Sequence, residues 1–220
     1  MIWHIGPLAI DGSEVLYTWI AIILVGGALY WLSRLVTSGV PGIAQGLMET
    51  VFEFIADLTR TSFDPDNDPF LYELLVFLFC FLIAANFEGM IPGVHSATSD
   101  LNLTAALALS VFFLIQIFGV RSHGLAYFKH FGKPFLPLLP INIIEELSKP
   151  LTLAFRLFGN ILVGDIFMQL IGRFRLIFFV LGGFVAAFVW WGFTAFVDLV
   201  QAFIFMVLTM AYVGRAMANQ

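Results

Sequence analysis

Apolar residues dominate this chain in runs long enough to cross a bilayer, which takes about 20 of them in a helix. The runs cover Val15–Leu35, Leu71–Ile91 and Leu103–Val120, followed by two longer stretches, Ile141–Ile171 and Leu176–Met217. Between the first two runs the pattern changes. Ile43, Leu47, Val51, Phe54, Ile55 and Leu58 recur at steps of three and four, with Glu49, Glu53 and Asp57 on another face. That period predicts an amphipathic helix over 43–60, too polar to span and suited to the membrane surface. The breaks are the SGVPG stretch at Ser38–Gly42, the acidic DPDNDP turn at Asp64–Pro69, the loop PGVHSATSD, and the proline-rich PFLPLLP, which no regular helix accommodates. The last two runs exceed a normal span and therefore predict a steeply tilted helical hairpin, dividing at GRFR. The expected fold is all-α: one polytopic membrane domain over 1–220, with about five embedded helices and one interfacial helix.

Composition agrees with the pattern. Of 220 residues 60% are hydrophobic and only 11% charged, where a soluble domain carries about 25%. The net charge of −5 and the scattered basic residues exclude the concentrated basic stripe of a nucleic-acid-binding surface. The single cysteine, Cys80, has no partner for a disulfide or a thiolate site and reads as a packing residue.

Charge also predicts orientation. The first run follows Asp11 and Glu14, the wrong flank for a signal peptide, so the N-terminus is read as mature and external. The inner loops and tail then hold Arg34, Arg60, Arg121, Lys129, Lys133 and Arg215, against Arg173 and Arg175 outside. Basic residues favour the cytoplasmic side, giving N-terminus out and C-terminus in.

Soluble-enzyme signatures are missing: there is no GxxxxGK[ST], GxGxxG or HExxH. His4, His95, His123 and His130 fall in expected termini or loops and read as solvated, with His95 a candidate for the mouth of an aqueous path. No cofactor or metal is called for.

The informative residues are polar groups at membrane depth. Arg156, Asn160, Asp165 and Gln169 lie on one long run, and Thr194, Asp198 and Gln201 on the other. An arginine at the centre of a spanning helix costs roughly 2.5–3.5 kcal/mol on insertion scales, so something must repay it. Asn160, four residues on, shares its face; Asp165, nine on, lies on roughly the opposite one. In an antiparallel hairpin Gln201 returns towards the level of Arg156, with Asp198 nearer Asp165. Two readings stand: a structural Arg156–Asp198 pair stapling the hairpin, or an outward cation awaiting an anion from another subunit. Buried pairs are poor stabilisers once desolvation is counted, which favours the second.

LPINIIEELSKPLTLAFRLFGNILVGD, at 139–165, closely resembles the signature of subunit a of F-type ATP synthases, and QAFIFMVLTMAYVG, at 201–214, resembles that family's last helix. Weaker similarity runs through PG…SDLNLTAALAL, so most of the chain is covered, in a form nearest bacterial and chloroplast members. The resemblance implies an ion-translocating stator in the membrane sector, no enzyme on its own, beside a rotating ring of c subunits and the peripheral-stalk b subunits. It implies an energy-transducing membrane, most simply a bacterial plasma membrane, and coupling to H+ or Na+. Arg156 matches the family's essential arginine, Asn160 its neighbouring asparagine, Gln201 the last-helix glutamine, and Asp165 a half-channel position often glutamate. Lys149 matches the lysine of the KP pair, read as interfacial. Where some members carry histidine or glutamate this chain has Thr194; Asp198, a turn later, is the candidate substitute. Asp165, Asp198 and Gln169 would line an outer half-channel. Glu145 and Glu146 would line the inner path or sit among headgroups, the latter preferred. The competing class is a self-contained secondary transporter, which would carry paired repeats with interrupted helices; none is visible.

Overall fold

The computed structural model describes residues 2–5, 8–36, 42–65, 67–90, 101–124, 127, 137, 139–174 and 182–218. Among the described residues six helices carry the fold: α1 Gly12–Leu35, α2 Ile43–Thr59, α3 Pro69–Glu88, α4 Leu101–His123, α5 Leu139–Phe174 and α6 Gly182–Ala218. The expectation of an all-α polytopic membrane protein is met, with one addition. A short antiparallel hairpin, β1 Ile2–Ile5 with β2 Leu8–Asp11, pairs Ile2 with Asp11 and Ile5 with Leu8 ahead of α1. The sequence between the strands is Gly6-Pro7, a turn dipeptide, but strands of four residues each give a pattern too short to separate from the apolar run behind them.

By length and composition, Pro69–Glu88, Leu101–His123 and Phe188–Ala218 can each cross a membrane, and Val15–Trp31 is a shorter apolar stretch. α5 is less apolar because Glu145, Glu146, Lys149, Arg156 and Asp165 all lie along its 36 residues. Its length and its packing against α4 and α6 keep it in the bundle.

α3 sits at the centre, against α1, α2 and α6. Pro69 occupies its first turn, where a missing N–H costs nothing, and Asp68 precedes it in a non-helical conformation. Its core stripe, Leu71, Leu75, Phe79, Leu82 and Asn86, is buried. From α6 come Ala202, Phe205, Met206 and Val213, and from α5 Leu153 and Leu157. Cys80 is half-buried and packs against this cluster.

α2 divides its faces as its sequence directs. Ile55 and Thr59 are buried, and the Phe52 carbonyl accepts a hydrogen bond from the Tyr72 hydroxyl of α3 at 3.0 Å. Ile43 and Leu47 stay 87% and 66% exposed, an apolar edge that needs lipid. At the C-terminal end of α4, Arg121 reaches Asp68 before α3 at 3.7 Å.

One sequence reading is corrected here. α4 continues to His123, so that histidine is the last residue of a helix rather than part of a solvated loop, and its Nδ1 is withdrawn from the surface. Ser38–Pro41 of the SGVPG break, the PGVHSATSD break, most of PFLPLLP, and His95, Lys129, His130, Lys133 and Arg175 lie outside the described residues.

Candidate functional site

The α5–α6 pair runs antiparallel, and two contacts fix its register. Phe167 stacks on Trp190 with centroids 3.8 Å apart, and a Cβ on Gly164 would stand 4.0 Å from the Thr194 methyl. Stepping eight residues back from Gly164 and eight on from Thr194 brings Arg156 to the level of Ala202, beside Gln201. The same count puts Asp198 level with Asn160 and Thr194 level with Gly164 and Asp165. Gln201 thus returns to the level of Arg156, whereas Asp198 lies between the arginine and Asp165.

Arg156 is half-buried, between exposed Phe155 and fully buried Leu157. Among the described residues it forms no hydrogen bond and no ion pair; the salt bridges present join Arg60 to Asp57, Arg121 to Asp68 and Lys149 to Glu146. The stapling pair with Asp198 is not formed. Asp198 and Gln201 instead face the interior, at 4% and 3% exposure. Thr194 is half-buried and Gln169 is exposed on α5. Asn160 and Asp165 stand on α5 at the levels given above, but their side chains lie outside the description.

Asp198 is held by a residue that the sequence reading missed. Asn86, 2% exposed on α3, donates its side-chain amide to the Asp198 backbone carbonyl at 3.2 Å. Asn86 stands in the apolar run LIAANFEG, and a polar residue inside a span is itself the signal that would have found it. One turn further on, the Trp191 indole points at the Met90 carbonyl at 3.5 Å, so α3 and α6 stay together to the end of α3.

At the opposite end of the bundle a second polar group gathers. Glu146 pairs with Lys149, whose ammonium lies 5.7 Å from the Tyr212 ring of α6, while Arg215 lies 5.1 Å from that ring. Tyr127 is buried against Gly119 of α4, where a Cβ would come 2.5 Å from its ring. Burial pushes the Tyr127 phenol above its usual range, nearby Glu146 adds to the rise, and a hydrogen bond with the Gln116 side chain opposes it. Glu146 is therefore drawn into the bundle while Glu145 stays exposed, which sets apart two acids that the sequence reading treated together, as lining the inner path or, by preference, among headgroups. Pro150, inside α5, cannot donate to the Glu146 carbonyl one turn back.

Among the described residues the bundle is apolar outside, with the Arg156 cation unpartnered at mid-helix and buried acid and amide groups on the facing helix, the form of an ion-handling membrane subunit. No group of histidine, cysteine and acidic side chains among the described residues can hold a metal. The sequence matches the ATP synthase A chain family over residues 15–214. It is 35% identical to ATP synthase subunit a of Desulforamulus reducens, over 99% of this chain and 84% of that protein. It is 39% identical to ATP synthase subunit a 1 of Hahella chejuensis, over 98% of this chain and 88% of that one, and 36% identical to subunit a 2 of a Bradyrhizobium species, over 100% and 94%. The chain belongs to the ATP synthase A chain family and is a multi-pass membrane protein.

Proposed function

We propose that this chain is the stator subunit a of the membrane sector of an F-type ATP synthase, in which Arg156 drives ion release from the carboxylates of a c-subunit ring. The observation that carries the reading is the half-buried Arg156 guanidinium, on a helix flanked by exposed apolar side chains, with no anion of its own among the described residues. A cation so placed is costly unless a partner supplies the charge.

The chemistry follows from electrostatics. A carboxylate moving through lipid must be neutral, and an opposite charge within a few ångströms lowers its pKa by roughly one to three units. Each carboxylate arriving beside Arg156 gives up its H+ or Na+, is held briefly as an anion, and reloads after leaving. Gln201, level with Arg156, offers an amide that orients the guanidinium or the arriving carboxylate. Asp198, fixed through Asn86, and Gln169 towards the hairpin turn line the outer approach with Asn160 and Asp165 on the same stretch. The positive charge of Arg156 repels cations that would otherwise run straight between the inner and outer approaches. Two offset approaches then convert ion flux into one direction of ring rotation, and each charge crossing gains about 2.3 kcal/mol per 100 mV. The b subunits of the peripheral stalk hold this chain against the ring, the N-terminus lies outside the bacterial inner membrane, and nucleotide chemistry takes place elsewhere in the complex.

The test is coupled ATP synthesis by assembled complexes carrying Arg156→Ala. Loss of synthesis with subunit composition unchanged is expected; normal synthesis overturns the reading. A self-contained transporter would instead move a solute when the purified chain alone is placed in liposomes.

A further inference from the structure

The facing stripes of α5 and α6 repeat one spacing. Arg156, Asn160, Gly164 and Phe167 follow one another at steps of four, four and three along α5, and Trp190, Thr194, Asp198 and Gln201 do the same along α6. At 3.6 residues per turn each set covers an arc of about 80°. In the antiparallel register the stripes meet layer by layer, from Arg156 beside Gln201, through Gly164 beside Thr194, to Phe167 stacked on Trp190. The layers near the arginine are polar, and the one nearest the hairpin turn is aromatic.

The aromatic layer holds one unmet polar group. Trp190 lies beside two rings, Phe167 at 3.8 Å and Phe193 at 5.4 Å between centroids, and its indole nitrogen is withdrawn from the surface with no hydrogen-bond partner. An indole N–H only donates, and a buried one ordinarily finds an acceptor. It lies in the ring plane, so the ring stacked on its face cannot take it. On the Arg156 side of this layer the seam is open. A Cβ on Gly164 would meet only the Thr194 methyl among the described residues, and that at 4.0 Å. Glycine there leaves a space of about one methyl group, on the scale of the ~30 Å³ that a water takes up in the liquid.

We propose that Trp190 is the outermost positioning residue of the ion path: its indole N–H holds a water in the Gly164–Thr194 layer, and its stacked ring keeps lipid tails out of the polar seam. The inference rests on the stator reading and adds a residue to its outer approach. Size and chemistry select the occupant. The space admits nothing much larger than water, and the N–H requires an acceptor, which neither an acyl chain nor a bare cation supplies. A water accepts from Trp190 and keeps both hydrogens for the Thr194 hydroxyl and, one turn along the stripe, Asp198. That gives it the two to four partners a buried water needs. Held in this way, it stands next to the acid that passes ions inward.

Whole complexes in vesicles are assayed for ATP synthesis under a fixed imposed ion gradient, beside subunit composition and thermal midpoint. Trp190→Phe keeps a stacking ring and deletes the N–H, while Gly164→Ala fills the space at ordinary contact distance. Each is expected to lower the rate roughly three- to tenfold, the size of one hydrogen bond, with composition and midpoint unchanged. Because both evict the same water, the double variant should be no slower than the slower single one, whereas two unrelated packing defects would multiply. A wild-type rate in either single variant, or losses that multiply, overturns the proposal. If Trp190→Phe fails to assemble, Gly164→Ala decides alone, a wild-type rate overturning the proposal as before. Arg156→Ala in the same assay keeps the two readings apart. Synthesis that survives it sinks the stator reading; synthesis lost there but normal in both seam variants overturns this inference alone.

Discussion

Asn86 on α3 hydrogen-bonds to the backbone carbonyl of Asp198 on α6, so the acid's position is set by a helix far from it in sequence. A buried amide aimed at a carbonyl fixes both the rotation and the depth of α6 at that turn. Asn86→Leu removes the donor and is expected to cost about 1 kcal/mol net in stability. Coupled flux should fall by more than that loss explains, since the Asp198 side chain would no longer be held in register with Asn160. Passive proton conductance of the membrane sector, measured beside thermal unfolding of the complex, checks it. Unchanged conductance in a destabilised complex would reduce Asn86 to a packing residue.

Arg156 should not tolerate even the conservative exchange. Arginine stays charged in any protein environment, whereas a buried lysine sheds its proton readily when desolvated. Arg156→Lys is expected to leave assembly intact and to lower coupled ATP synthesis at least about tenfold, the equivalent of one unit in a partner carboxylate's pKa. Because a partly neutral lysine regains charge in acid, the residual activity should recover as the pH falls from 8 towards 6. A flat profile would mean that charge retention is not the reason for arginine.

Much of this was legible from the sequence because its causes are local. Runs of apolar residues fix α1, α3, α4 and α6, and Pro69 marks the start of α3 by occupying the only turn that tolerates it. Arg156 announces itself by its cost in an apolar run. The pairing of Asn86 with Asp198 was not legible, since two residues 112 positions apart meet only through helix packing. Nor was the difference between Glu145 and Glu146, neighbours in sequence that point in different directions, one into solvent and one onto Lys149. His123 escaped for a simpler reason: a helix end moved by a single turn converts a loop residue into a half-buried one.

Alkaline pH should loosen the end of the bundle where Tyr127 covers Gly119. Burial, and secondarily Glu146, raise the Tyr127 phenol above its reference value of 10.0, with the Gln116 bond opposing. The folded state therefore holds this proton more tightly than the unfolded chain. Its contribution to stability is complete below pH 10.0 and is lost as the pH rises through the raised value. The thermal midpoint of the assembled membrane sector is expected to decline between pH 9.5 and 11 more steeply in wild type than in Tyr127→Phe. Parallel curves would show that the phenol titrates as it does in water.

Gly214 on α6 marks a close approach in which the reason for glycine can be tested directly. A Cβ there would come 2.8 Å from the Ser62 Cβ and 3.1 Å from the Ser62 carbonyl oxygen, in the turn that follows α2. The first contact is with a short side chain, but the second is with backbone, which can yield only by moving the turn. Gly214→Ala is expected to destabilise the subunit by about 1–3 kcal/mol, the usual range for overpacking a filled site, despite alanine's better helix propensity. Adding Ser62→Gly removes the nearer contact and leaves the carbonyl, so it should restore only part of the loss. Full rescue would place the whole clash on the serine side chain; no loss in Gly214→Ala would mean that α2 and α6 meet loosely enough to shift apart without cost.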